Sequence, residues 1–212
     1  MSTSESSAQR REPSQSAPAP APVATIADPG PLGLAAFALT TFVLSCFNAQ
    51  LIGDAKLEAV VLPLALFYGG LTQLLAGMWE FRAGNTFGAL AFSSYGAFWL
   101  SFAGYVKFVA GGLNPATAHT ATGLFLLGWT IFTIYMTVAA VRVSGAVLLV
   151  FVLLSLTFLF LTIGALNEMS SMSKLGGWLG LATAIAAWYA SFAGVTNATW
   201  RRTVLPTWPA SH

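Results

Sequence analysis

The sequence predicts an all-α membrane protein with six transmembrane helices and both termini in the cytoplasm. Of the 212 residues, 56% are hydrophobic and only 8% are Asp, Glu, Lys or Arg, whereas a soluble domain carries about 25% charged residues. The charges border six uncharged runs, at 29–53, 59–79, 83–106, 108–141, 143–167 and 175–200. Each run can supply the roughly 20 apolar residues that a bilayer-spanning helix needs. A soluble enzyme, a nucleic-acid-binding domain and a disulfide-rich secreted protein are therefore excluded.

The first part of the chain is a polar tail followed by two helices. Residues 1–27 are rich in Ser, Ala and Pro and contain no apolar stretch, so they are predicted to form a disordered cytoplasmic tail. The first helix starts near Pro31, because proline fits the first turn of a helix, and it runs to about Ile52. The second helix covers about 60–78 and ends in the polar stretch 80–84.

Four more helices complete a transmembrane transport domain that is predicted over 28–200. The third helix runs over about 86–109, and the Gly- and Pro-containing stretch 111–115 breaks the chain after it. The fourth, fifth and sixth helices cover about 119–140, 145–166 and 176–196. Residues 201–212 contain two arginines and two prolines and are predicted to be a cytoplasmic C-terminal tail.

The distribution of Lys and Arg predicts the orientation. Six spans place both termini on one side of the membrane, and all the arginines then lie on that side, while Lys56, Lys107 and Lys174 lie on the other. Because cytoplasmic loops carry the excess of Lys and Arg, the termini are predicted to be cytoplasmic. We expect a multi-pass protein of the plasma membrane, in contact with lipid and with no nucleic-acid partner.

Polar side chains inside the apolar runs identify the candidate binding residues. On the first helix Phe37, Thr41, Ser45 and Asn48 share one face at helical spacing, and Gln73 shares a face of the second helix with Gly and Ala residues. A buried polar group needs a partner, so Thr41, Ser45, Asn48 and Gln73 are candidates for binding a substrate. Close packing of helices through small residues is the alternative interpretation of these faces.

The sequence indicates transport rather than catalysis. No Asp, Glu or His lies in the middle of a predicted span, which disfavours a side-chain proton relay. No metal-ligand spacing, catalytic triad or phosphate-binding glycine loop stands out, so no cofactor, metal or enzymatic activity is expected. The segment Asn114-Pro115-Ala116 is the tripeptide of aquaporin-type channels, but that architecture needs two such boxes and a constriction arginine, so we interpret it as a turn.

Several motifs in order point to one family. Residues 28–34 read DPGPLGL, residues 67–70 FYGG, residues 84–88 GNTFG, residues 94–100 SYGAFWL and residues 202–206 RTVLP. Together they resemble the acetate uptake transporter family, which includes the bacterial succinate–acetate permeases and has the signature NPAPLGL. The signature residues of this chain are Pro29, Gly30, Pro31, Leu32, Gly33 and Leu34, with Asp28 in place of Asn and Gly30 in place of Ala.

The resemblance implies a homohexamer whose protomers each carry acetate and, less well, succinate or other small monocarboxylates. Members of the family narrow the pathway with an aromatic pair and a leucine, and motif matching assigns these to Phe37, Tyr95 and Leu156. Proton coupling stays open, and the lack of a titratable group in mid-span favours a channel-like path or passage of the neutral acid. A channel for another small solute and a structural membrane protein without a pathway are the alternatives.

Overall fold

The computed structural model describes residues 26–209, so the predicted disordered tail lies outside it except for residues 26 and 27. Six long helices follow one another within these residues: α1 Gly30–Asn48, α2 Lys56–Ala83, α3 Thr86–Gly104, α4 Ala118–Ala140, α5 Gly145–Leu166 and α6 Ser170–Trp200. By length and composition five of them can cross a membrane. The remaining one, α3, contains three serines, which lower its mean hydropathy. The predicted all-α membrane fold is confirmed.

Several helix boundaries differ from those that the sequence predicts. Helix α1 ends at Asn48, before Gln50 takes a left-handed φ of 57°, so it is shorter than predicted. Helix α6 begins at Ser170 and continues to Trp200, so it is longer at both ends. Helix α2 continues to Ala83 and is ended by Gly84, which has a φ of 77°. This last difference matters most, because it makes Glu80 a residue of the helix.

The middle of α2 is wound more widely than an α-helix. A 3₁₀ turn at Ala55–Val60 leads through Val61–Pro63 into a π-helical stretch at Leu64–Thr72, and α-helical geometry resumes at Gln73–Ala83. In the wide stretch the Thr72 hydroxyl donates to the Phe67 carbonyl, five residues back, at 2.9 Å. Gly69 lies there against Thr40, so closely that a Cβ at this position would lie 2.8 Å from the Thr40 Cβ. Glycine is therefore required for α1 and α2 to approach each other.

The six helices form a closed ring. Helix α1 packs on α2 and α6, α2 packs on α3, and α5 packs between α4 and α6. Aromatic side chains close the ring between α3 and α4, with centroid distances of 5.1 Å for Phe98–Trp129 and 5.3 Å for Tyr95–Phe132. The buried core lies inside the ring, and six of its sixteen residues are aromatic side chains of α1, α3 and α5.

The C-terminal segment folds back onto one end of the ring. The Asn197 side-chain oxygen accepts hydrogen bonds from the backbone N–H groups of Val204 and Leu205 at 2.7 and 2.9 Å. The Gly145 N–H, at the start of α5, donates to the Trp208 carbonyl at 2.8 Å. We name this end, which holds residues 28–31, 80–88, 143–147 and 194–209, the tail end. The opposite end, with residues 48–58, 105–122 and 161–177, is the far end.

Candidate substrate pathway

Two cavities lie inside the ring. The tail-end cavity has a volume of about 180 Å³ and is lined by residues that include Gly30, Pro31, Leu34, Gln73, Glu80 and Tyr95. The far-end cavity has a volume of about 210 Å³, and its lining includes Thr41, Ser45, Asn48, Phe98 and Phe158. Each is large enough for several water molecules. Phe37 and Leu154 line both cavities, so they stand between them.

The barrier between the cavities is apolar and tightly packed. Phe37, Tyr95 and Leu154 are only 4%, 2% and 3% exposed, and the rings of Phe37 and Tyr95 lie 5.8 Å apart at a tilt of 55°. They come from α1, α3 and α5, so three different helices meet at this point. The structure therefore brings together the two aromatic residues that the sequence assigned to the constriction.

The structure does not place Leu156 at this barrier. Leu156 lines neither cavity and is 38% exposed, whereas Leu154 lines both cavities. Two residues along a helix differ by about 200° in direction, so Leu154 and Leu156 point to nearly opposite sides of α5. The periodic signal that identifies the inner face is the spacing of Phe151, Leu154 and Phe158, all of which are buried.

The hydroxyl group of Tyr95 is already engaged. It lies 2.9 Å from the Thr133 hydroxyl oxygen, and the Thr133 hydroxyl donates to the Trp129 carbonyl at 2.7 Å. Because Thr133 has a single hydroxyl proton, Tyr95 is the donor in their shared bond. Tyr95 therefore contributes its ring to the barrier, and its O–H is directed to α4 rather than to a solute.

Neutral polar side chains of α1 line the far-end cavity, and Glu58, in the first turn of α2, also lines it. Thr41 and Ser45 are 6% and 4% exposed, and Asn48 is half-buried. The Thr41 hydroxyl has no hydrogen-bond partner, so it is available to a solute or water. The turn at Asn114, in which the Ala116 N–H donates to the Asn114 side chain at 3.0 Å, is exposed and lines neither cavity. Three of the four predicted binding residues therefore share one cavity.

The fourth, Gln73, lies on the other side of the barrier together with a residue that the sequence analysis missed. Gln73 and Glu80 are each 1% exposed, and the Oε1 atom of each is buried without a hydrogen-bond partner. Their spacing of seven residues continues the polar face of α2 through Ala76 and Gly77, both buried. That spacing was the available signal, but Glu80 had been placed in the polar segment after the helix. The tail-end cavity thus contains a carboxyl group within a membrane helix.

The signature segment shapes the tail-end cavity. Gly30, Pro31 and Leu34 line it, while Gly33 faces the Phe92 ring, which would lie 2.6 Å from a Cβ at that position. Leu32 is 46% exposed and faces outward. The carbonyl of buried Pro29 accepts a bond from the Leu32 N–H at 3.1 Å and starts α1. One half of the signature therefore lines the cavity and the other half positions the helix.

The local turns that carry the signature and the GNTFG motif are held by side-chain caps. The Asp28 carboxylate accepts from the Gly30 N–H at 2.8 Å, and the Asn85 side chain accepts from the Gly88 N–H at 3.1 Å. Both Asp28 and Asn85 also line the tail-end cavity. Among residues 26–209 no three His, Cys, Asp or Glu side chains are grouped so that they could hold a metal ion.

Comparison with known proteins identifies the family. The chain is 47% identical over 188 residues to acetate permease A of Emericella nidulans, covering 81% of this chain and 62% of the permease. It is 38% identical over 183 residues to the succinate-acetate/proton symporter SatP of Escherichia coli, covering 85% of this chain and 95% of SatP. The fold matches the solved structure of the bacterial acetate channel SatP with a TM-score of 0.80 and 34% identity, over 86% of this chain and 99% of that one.

The match extends over nearly the whole sequence. The chain spans 59% to 67% of the length of the fungal relatives. The family model described as the GPR1/FUN34/yaaH family matches residues 11–211, which include both cavities and the barrier between them. This chain belongs to the GPR1/FUN34/yaaH family.

Proposed function

We propose that the chain carries acetate, and less readily succinate or other small monocarboxylates, across the plasma membrane. The observation that carries this proposal is the pair of cavities inside one protomer, which share Phe37 and Leu154 as lining residues. The relatives named as an acetate permease, a succinate-acetate/proton symporter and an acetate channel support the choice of substrate. The pathway runs through each protomer, from one cavity to the other.

The neutral donors of α1 in the far-end cavity suit the carboxylate group of such a solute. Thr41, Ser45 and Asn48 can donate hydrogen bonds from neutral groups, so they bind an anion without a fixed positive charge. Conduction needs binding that is strong enough for a solute to enter and weak enough for it to leave, and neutral donors meet this need.

The barrier suits the methyl group. A small apolar group can pass between the rings of Phe37 and Tyr95 and the side chain of Leu154 when these side chains change rotamer. A strongly hydrated inorganic ion must shed water at an apolar constriction that gates by dewetting. The barrier therefore selects for a small solute that has one apolar end.

The protomer is oriented with the tail end in the cytoplasm and assembles as a homohexamer. The orientation follows from the arginines, all of which lie in the tails or at the tail end of the helices. Outward-facing apolar side chains, such as Leu124 and Val138 at 68% and 73% exposed, are suited to lipid or to a neighbouring protomer. Native mass spectrometry in mild detergent should give a hexamer, and a monomer that retains full uptake would contradict the assembly.

Uptake of labelled acetate into proteoliposomes tests the function. Wild-type protein should take up acetate faster than protein-free liposomes, and Phe37→Trp should slow this uptake because it enlarges a side chain of the barrier. The matched control is Phe67→Trp, since Phe67 is 66% exposed and lines neither cavity. No protein-dependent uptake by the wild type, or equal effects of the two substitutions, would contradict the proposal. Repeating the assay with an imposed pH gradient separates proton-coupled transport from a passive channel.

A further inference from the structure

The tail-end cavity contains a carboxyl group, that of Glu80, to which residues 26–209 provide no cation among the cavity-lining side chains. Glu80 is 1% exposed and lines the cavity, and its Oε1 atom is buried without a hydrogen-bond partner. The proposed pathway does not yet use this group, although every solute that crosses the cavity passes it.

A glycine of α3 allows the Glu80 side chain to lie where it does, and a glycine of α1 lies beside it. A Cβ at Gly88, on α3, would lie 2.7 Å from Glu80 Oε1, and a Cβ at Gly30, at the start of α1, would lie 3.5 Å from the same atom. The Glu80 carboxyl group is therefore held between the starts of α1 and α3. The second of these glycines is one of the two positions at which this chain departs from the NPAPLGL signature.

The groups that face Glu80 from the neighbouring helices are acidic or neutral. From α1 comes Asp28, whose Oδ1 atom lies within 3.0 Å of the same Cβ position at Gly30. From the cap of α3 comes the amide of Asn85, a neutral hydrogen-bond donor to the Glu80 carboxyl group, whose nitrogen lies 2.6 Å from the Cβ position at Gly88. Helix α3 itself contains no charged residue. On α2 the nearby Arg82 is exposed and does not line the cavity. In the part of the chain that the structure describes, the ion pair found is His119–Glu168 at the far end.

An ionised carboxylate in this position is costly. Burying a charge without a paired cation carries a penalty of several kcal/mol or more, and a second carboxylate close by adds repulsion. The same group with a proton bound is neutral and gains an O–H donor. The donor would face a cavity in which Tyr95 has committed its own hydroxyl proton to Thr133.

We infer that Glu80 is a proton-operated switch for substrate at the tail end of the pathway. With a proton bound, its O–H donates a hydrogen bond to the carboxylate of a solute in the cavity. Without the proton, its negative charge repels the same carboxylate and the path is closed to anions. This inference rests on the proposed function, since it states how the transport of small carboxylates is regulated.

The decisive experiment compares pH profiles of exchange. Wild type and Glu80→Gln are reconstituted in liposomes with equal acetate and equal pH on both sides, and the exchange of labelled acetate is measured from mildly acidic to mildly alkaline pH. Protein-free liposomes are subtracted at each pH, because undissociated acetic acid crosses lipid by itself. Equal conditions on both sides make the orientation of the protein in the liposome irrelevant.

Wild-type exchange should fall on the alkaline side, by about tenfold for each pH unit once Glu80 is mostly ionised, which follows from the titration of one group. Glu80→Gln keeps a neutral donor of similar size, so it should exchange acetate without this fall.

The matched control is Glu168→Gln, because Glu168 is 71% exposed at the far end and lines neither cavity. It should keep the wild-type profile. If exchange by Glu80→Gln falls with pH like that of the wild type, the inference is overturned, although acetate transport still stands. If the wild type shows no protein-dependent exchange, the proposed function itself is refuted.

A second measurement uses the unaltered protein and does not depend on the folding of a variant. Dicyclohexylcarbodiimide modifies carboxyl groups that carry a proton in an apolar site, and mass spectrometry of peptides locates the modification. Glu80 should be modified, more slowly at alkaline pH and more slowly with saturating acetate, while the exposed Glu168 should not be. Absence of modification at Glu80, or modification that neither pH nor acetate changes, would overturn the inference.

Discussion

Shortening Leu154 is the most informative change that can be made in the barrier. Leu154 is 3% exposed and lines both cavities, so Leu154→Ala removes three carbon atoms from the wall that separates them. The rings of Phe37 and Tyr95 stay in place, and no hydrogen bond is lost. The expected result is a wider barrier that admits a longer dicarboxylate more readily than before.

The expected magnitude follows from the size of the group removed. One methylene in an apolar pocket changes discrimination by about 1–3 kcal/mol, which is roughly 10- to 200-fold. The removal of three carbons should therefore raise the ratio of succinate to acetate uptake by at least about tenfold. Stability should fall by about 2–5 kcal/mol, the usual cost of a buried Leu→Ala change. We expect the lower end of that range, because Leu154 already borders open volume on two sides.

Leu156→Ala is the matched control, since it makes the same chemical change two residues away. Leu156 is 38% exposed and borders neither cavity, so the uptake ratio should stay at the wild-type value. The assay is paired uptake of labelled succinate and acetate by proteoliposomes, with thermal stability measured on the same preparations. A folded Leu154→Ala protein with an unchanged ratio would refute the placement of the barrier, and so would an equal effect of Leu156→Ala.

Three further predictions concern packing, hydrogen bonding and orientation. Gly96→Ala should lower thermal stability by about 1–3 kcal/mol, because the added Cβ would lie 2.6 Å from the backbone nitrogen of Leu74. The control is Gly104→Ala, whose Cβ meets no atom within 4 Å, and it should leave thermal stability unchanged. Tyr95→Phe should retain acetate uptake and lose only about 0.6 kcal/mol of stability, the average for a hydrogen bond between membrane helices. A complete loss of uptake would show instead that the hydroxyl group acts on the solute. On a cysteine-free background, Lys174→Cys should react with an impermeant thiol reagent added outside cells. Arg142→Cys should react only after the cells are opened. The reverse pattern would contradict the proposed orientation.

The sequence alone was sufficient for the class of fold and for much of the pathway. Uncharged runs between sparse charges predict six spans because an unpaired charge is costly in a bilayer, and the six long helices follow these runs. The face that contains Phe37, Thr41, Ser45 and Asn48 was readable because the period of a helix relates sequence spacing directly to direction. These four residues line the far-end cavity together, as their spacing indicates.

The direction in which each residue of a helix faces, and the position at which each helix ends, required the tertiary structure. Leu154 and Leu156 lie in a run of similar apolar residues, and only the packing of α5 inside the ring decides which of them faces the pathway. Glu80 looked like the polar end of a span, because charge alone does not tell whether a side chain points to water or to a cavity. Its burial depends on Gly88, which the packing of α3 on α2 brings beside it. Local spacing therefore determined the helices and their polar faces, whereas contacts between helices decided which leucine narrows the pathway and which carboxyl group lies within it.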